Sequence, residues 1–168
     1  MSAAEIHAAA PADGRAGWRD GPTEPGDYGA INAAYLTLFA GMLAATSRRG
    51  AQPIPAREIV PLGVATFALS KVVAREKIGT WLREPFVEED AEHRPGSPRG
   101  HGIRHAVGEL MTCPRCVGAW AALGLVSLRT LSPTAGRTAT TMLAASGVSD
   151  FLHAGFRLAA DSANSAGP

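Results

Sequence analysis

Tyr28-Gly-Ala-Ile-Asn-Ala-Ala-Tyr-Leu-Thr-Leu-Phe-Ala-Gly-Met-Leu-Ala-Ala-Thr-Ser47 is a run of 20 residues without a formal charge, bounded by Asp27 before it and by Arg48 and Arg49 after it. At 1.5 Å rise per residue, a helix of that length spans the roughly 30 Å hydrocarbon core of a bilayer. Small residues recur four apart, Gly29 with Ala33 and Gly41 with Ala45, a spacing that lets helix backbones approach closely in lipid. Alanine-rich helices also pack closely in aqueous bundles, so a soluble helical domain that buries this run is the competing reading.

Three weaker apolar runs follow. Residues 59–74 carry Lys71, residues 116–128 stop at Arg129, and residues 138–156 contain Asp150 and His153. A central lysine or aspartate costs about 2.5–3.5 kcal/mol on insertion scales, while each Leu, Ile, Val or Phe returns about 0.3–0.6, so these segments sit near break-even and need partners to stay in lipid. Lys71 lies near the charged end Arg75-Glu76-Lys77, which lets its stem lie in lipid while the ammonium snorkels to the interface. Asp150 and His153, three apart, would share a helix face. Trp81 and Trp120 flank apolar segments, as headgroup-level anchors do.

Breaks between the runs are clear. Pro53 and Pro55 separate the first helix from the second, and residues 131–137 read as a turn between antiparallel neighbours. Residues 83–100 hold Glu88-Glu89-Asp90, Glu92 and a Pro/Gly-rich stretch, which predicts a solvated loop. After it, Ile103, Val107, Leu110 and Met111 fall on one helical face, predicting a short amphipathic helix at a surface. The expected organisation is a disordered tail over 1–27, a transmembrane helix over 28–47, a membrane domain over 59–157 and a flexible tail over 158–168. The fold class is all-α: a membrane helical bundle of about four apolar helices with a short interfacial helix.

Charge narrows the partners. Arginine and lysine number 16 against 15 carboxylates, so no net field draws the chain to nucleic acid. With four crossings, eleven of those 16 cations fall on the side that carries residues 75–115, which the positive-inside rule makes cytoplasmic. The abundance of alanine, glycine and arginine suggests a GC-rich bacterial genome, hence the bacterial cytoplasmic membrane, with the lipid bilayer and a membrane or cytoplasmic protein as partners.

The chain's two cysteines lie within Gly108-Glu-Leu-Met-Thr-Cys-Pro-Arg-Cys-Val-Gly-Ala-Trp120. A disulfide between Cys113 and Cys116 would close a loop worth only about 2 kcal/mol of unfolded-state entropy, so stability is not why they are paired. Thr112 or Cys113 can cap a helix with Pro114 in its first turn. Helix dipole and Arg115 would then favour a thiolate at Cys113, the logic of dithiol redox sites, with Cys116 as resolving partner. Metal binding is the other sharp reading: His101-x3-His105-x7-Cys113-x2-Cys116 supplies four ligand types that zinc accepts. The bland reading is that both thiols pack as small apolar residues at the membrane boundary. No phosphate loop, nucleophile elbow or His-Glu-x-x-His pattern is present.

Residues 65–86, 108–120 and 145–152 together resemble the bacterial domain of unknown function 1360 family, over about residues 59–157. The resemblance implies a small multi-pass membrane protein without an assigned activity. It implies that Lys71, Arg75, Arg83, Cys113, Pro114, Cys116 and Trp120 occupy signature places. His101 and His105 are not among those places, and Ala68 stands where a basic residue is frequent. The expected function is a non-enzymatic membrane scaffold or interaction protein without a cofactor. The alternative is a membrane-bound thiol redox or metal-binding protein.

Overall fold

The computed structural model describes residues 22–90 and 95–165. Among these the fold is all-α apart from one small hairpin. The elements are α1 (Pro25–Arg49), α2 (Ile59–Arg75), the single turn α3 (Thr80–Arg83), β1 (Val87–Glu89), β2 (Pro95–Pro98), α4 (Ile103–Thr112), α5 (Pro114–Leu131) and α6 (Pro133–Ser165). Most of the expected N-terminal tail lies outside the described residues.

Local chemistry sets the helix ends. In α1, Pro25 occupies the first turn and Glu24 with Asp27 forms a reciprocal capping box, while Gly50 closes the helix at φ 58°, a left-handed conformation that glycine adopts without penalty. Pro133 starts α6 directly after α5, with Ser132 as the sole break. Residues 131–137 are therefore a sharper corner than the expected turn.

Helices α2, α5 and α6 pack on one another, and contacts fix their directions. Glu58, just before α2, reaches Arg129 at the end of α5, so those helices are antiparallel. Gly147 meets Val64 and Ala68, and Asp150 meets Lys71, so α6 runs parallel to α2. The core is small: Leu62, Ala65 and Leu125, supported by Ile54, Leu69, Leu143 and Ala144. A Cβ on Gly147 would stand 2.7 Å from Val64 Cγ1, and one on Gly136 would stand 2.2 Å from Arg129 Cα. These two positions let the helices approach to backbone contact. Ala68, 2% exposed, belongs to the same α2–α6 crossing, where small size matters more than charge.

Two expectations are corrected. Among the described residues of 83–100, where the sequence predicts a solvated loop, β1 and β2 pair antiparallel, Val87 with Pro98 and Glu89 with Pro95, around a bulge. The hairpin folds back because arginines hold its backbone. Arg99 Nε donates to Val87 O at 3.0 Å, and Arg104 Nε and Nη2 donate to Pro85 O at 3.0 and 2.7 Å. Val87 is fully buried, and Gly108 of α4 lies against Phe86 O and Pro98. The second concerns the C-terminus, where residues 158–165, expected to lie outside the helices, continue α6 to Ser165.

Among the described residues one helix, α1, is long and apolar enough to cross a membrane; α4 and α5 qualify only as a joined pair, and they meet at an 89° bend. Helix α1 packs on α4 and α5 yet contains no buried residue.

Candidate functional site: the paired thiols and the adjoining cavity

The bend between α4 and α5 is where the thiols sit. Cys113 has extended backbone, φ −100° and ψ 105°, and is the cap residue of α5, with Pro114 in the first turn. Thr112 is not the cap, since its hydroxyl donates to Glu109 O within α4. Pro114 cannot donate to α4, so the helix breaks there and restarts in a new direction. The cap and the third helical position face each other. Cys113 Sγ accordingly accepts the Cys116 N–H at 3.4 Å and the Cys116 S–H at 2.8 Å. Both cysteines are free, Cys113 half-buried and Cys116 exposed. The Cys116 thiol, the Cys116 N–H, and the N–H and charge of Arg115 together outweigh partial desolvation and hold the Cys113 thiol below its ordinary 9.0.

Cys116 also lines a cavity of ≈ 420 Å³ between α1, α4 and α5, whose other walls include Tyr28, Ile31, Tyr35, Leu110 and Trp120. Trp120 meets Tyr35 edge to face, with ring centroids 5.3 Å apart. Glu109 supplies the cavity's carboxylate. Tyr28 Oη donates to Glu109 and lies 3.0 Å from Thr23 Oγ1, and His105 Nε2 approaches Glu109 at 3.8 Å. A second cleft of ≈ 400 Å³ runs further along α1 and α5 past Phe39, Leu43 and Val126.

The four residues proposed as zinc ligands are not brought together. His105 Nδ1 is 3.1 Å from Gly100 O and its other nitrogen faces Glu109, while His101 is exposed beyond the hairpin. Among the described residues no three His, Cys, Asp or Glu side chains form a group able to hold a metal. The short spacing between the pairs explains this: α4 fills it, with His105 on its first turn and the thiols beyond its last.

Arg83, Lys71 and Arg75, which the resemblance marks, have different surroundings. Arg83 is fully buried. Its guanidinium pairs with Glu89 at 3.0 Å and donates through Nη1 to Val73 O at 2.5 Å and Glu76 O at 3.1 Å, tying the end of α2 to β1. The Lys71 ammonium is 3.0 Å from Glu76 and 3.2 Å from Asp150. Asp150 therefore pairs with Lys71 and not with His153. Arg75 is exposed at the last turn of α2. Sequence reasoning missed Glu89, Glu109, Tyr28 and the Glu58–Arg129 pair. For Glu58 and Glu109 a single carboxylate beside an apolar run is the available signal, whereas Glu89 is one of the acidic cluster Glu88-Glu89-Asp90.

Comparison with known proteins fits this core. Sporulation protein YjcA of Bacillus subtilis (strain 168) is 30% identical over 101 residues, 56% of this chain and 86% of that protein. No solved structure matches. Residues 61–156, from α2 through most of α6 and including both thiols, match the family described as Protein of unknown function (DUF1360). With more than half of its length matched, the chain belongs to the DUF1360 family.

Proposed function

We propose that this protein is a multi-pass protein of the bacterial cytoplasmic membrane and works there as a non-enzymatic scaffold or interaction protein. The observation that carries this reading is where the large apolar side chains point. Leu36, Leu38, Phe39 and Leu43 of α1 are exposed, as are Met142, Val148, Phe151, Leu152, Phe156 and Leu158 of α6. The buried core is small, the α2–α6 crossing is built from alanine and glycine contacts, and Arg83 and Arg129 are held in ion pairs. Burying one such Leu or Phe from water is worth about 1.5–3 kcal/mol, so an aqueous fold would leave a large stabilisation unused. Lipid around the bundle removes that deficit, and small residues inside suit helices that associate by close packing.

The 89° bend supports α4 as an interfacial helix: if α5 crosses the bilayer, α4 lies along its plane. Arg99, Arg104 and Arg115 stand at the thiol end, whereas Arg129 and Arg137 at the other end face Glu58. This favours a cytoplasmic thiol end. The Bacillus relative, named a sporulation protein, supports a bacterial setting.

Alkaline carbonate extraction of membranes from expressing cells, followed by thiol labelling from each side, tests the reading. Retention in the pellet, with Cys113 and Cys116 labelled only once the cytoplasmic face is opened, is the expected result. Release with the wash, as a compact detergent-free monomer, would overturn it.

A further inference from the structure

We infer that Cys113 and Cys116 form a reversible thiol–disulfide exchange site that takes a disulfide, on a peptide or a small thiol compound, as its co-reactant. The inference goes beyond the scaffold reading and does not rest on it. Three features of the geometry carry it. The sulfurs are 2.8 Å apart across the first turn of α5, so closing to a bond of about 2.05 Å moves them by less than about 1 Å. Cys113 is accessible and sits where the helix's unpaired N–H groups converge, with the Cys116 N–H pointing at its sulfur. Cys116 opens onto the cavity that Glu109 shares, so there is space beside the pair for the group held on Cys113 before it departs. A pair that served only as apolar filling would need neither this convergence nor the access.

The chemistry balances without a further reagent. The Cys113 thiolate attacks one sulfur of R–S–S–R′; a Cys113–S–S–R bond forms, and R′–S⁻ leaves and takes up a proton from water. Cys116 gives its proton to water, and its thiolate attacks the Cys113 sulfur. The Cys113–Cys116 bond forms, the bond to R breaks, and R–S⁻ departs. Two thiols of the protein are oxidised by two electrons, and one disulfide is reduced to two thiols. The lowered Cys113 thiol raises the population of the attacking form near neutral pH.

The test uses the full-length protein in detergent with oxidised glutathione, quenched with acid, alkylated and read by intact mass and peptide mapping. Wild type is expected to lose both alkylatable thiols without retaining glutathione. Cys116→Ser is expected to accumulate one glutathione on Cys113, and Cys113→Ser to acquire it on Cys116 at least about threefold more slowly, because Cys116 lacks the converging N–H groups that Cys113 faces. Serine is a strong cap, so Cys113→Ser keeps the start of α5, which helical circular dichroism verifies. Peptide mapping of partially alkylated wild type gives the same ranking without any variant. Two persistent free thiols in wild type, or equal rates at the two cysteines, would overturn the inference. Because the assay runs in detergent, its failure and a failure of the membrane reading are separate results.

Discussion

Arg83 shows how much one side chain does in this fold. A helix end leaves carbonyls without partners, and at the end of α2 Arg83 supplies donors to Val73 O and Glu76 O while its other face meets Glu89. The space is closed on the remaining side by Gly79, where a Cβ would come 2.6 Å from Arg83 Nη1 and 2.4 Å from Val72 O. Arg83→Met would remove the buried cation paired with Glu89 and the donors to two carbonyls. The expected cost is about 3–5 kcal/mol, read as a lower midpoint in denaturation of the detergent-solubilised protein. Arg83→Lys should recover little, because an ammonium cannot reach both sets of partners with the planar fork of a guanidinium. A midpoint unchanged by Arg83→Met would show that the pair is dispensable.

At the scale of elements, the α2–α6 crossing is the contact on which the bundle depends. Gly147 sits against Val64 and Ala68, so Gly147→Ala forces the two backbones apart. An overpacking cost of about 1–3 kcal/mol is expected, whereas Gly155→Ala, at a position with nothing within 4 Å, should be neutral or slightly stabilising because alanine favours helix. Paired thermal melts check this, and equal losses at both sites would refute the crossing. Helix α1 behaves differently. It meets the bundle through Tyr35 and Trp120 and is bordered by two clefts, so its apolar side chains do little to hold the core together.

Across the whole molecule, charge is sorted to two ends. At one, Glu58 accepts from Arg129 Nε at 2.5 Å and Nη2 at 2.9 Å, with Arg137 at 3.6 Å, and this tie locks the ends of α2, α5 and α6 together. The Arg129 hydrogen bonds, aided by the charges of Arg129, Arg137 and Arg57, hold the Glu58 carboxyl below its ordinary 4.5. A carboxyl lowered on folding adds stability that is fully present above its unfolded value and is lost as pH falls through the folded one. Melting temperature should therefore be flat above about pH 5 and decline in more acidic buffer, and Glu58→Gln should flatten that decline while lowering the plateau. An acid limb of identical slope in Glu58→Gln would assign the effect to other carboxylates.

Much of this was legible in residue order alone. The apolar runs marked α1, α2, α5 and α6 because helical periodicity and proline punctuation are local properties, and Cys113 followed by Pro114 marked a helix start for the same reason. The charge-free run at Tyr28–Ser47 carried its own length. What only the tertiary structure decided is how distant charges meet: Glu89 with Arg83, Asp150 with Lys71 and Glu58 with Arg129. The acidic stretch near residue 88 looked solvated because a carboxylate's partner, when it comes from another element, leaves no trace in the neighbouring residues. The histidines and cysteines matched a metal spacing but diverged in space, since α4 separates them. Periodicity fixes which element a segment forms; pairing across elements depends on helix crossings, which are set by small residues such as Gly147 whose partners lie far away along the chain.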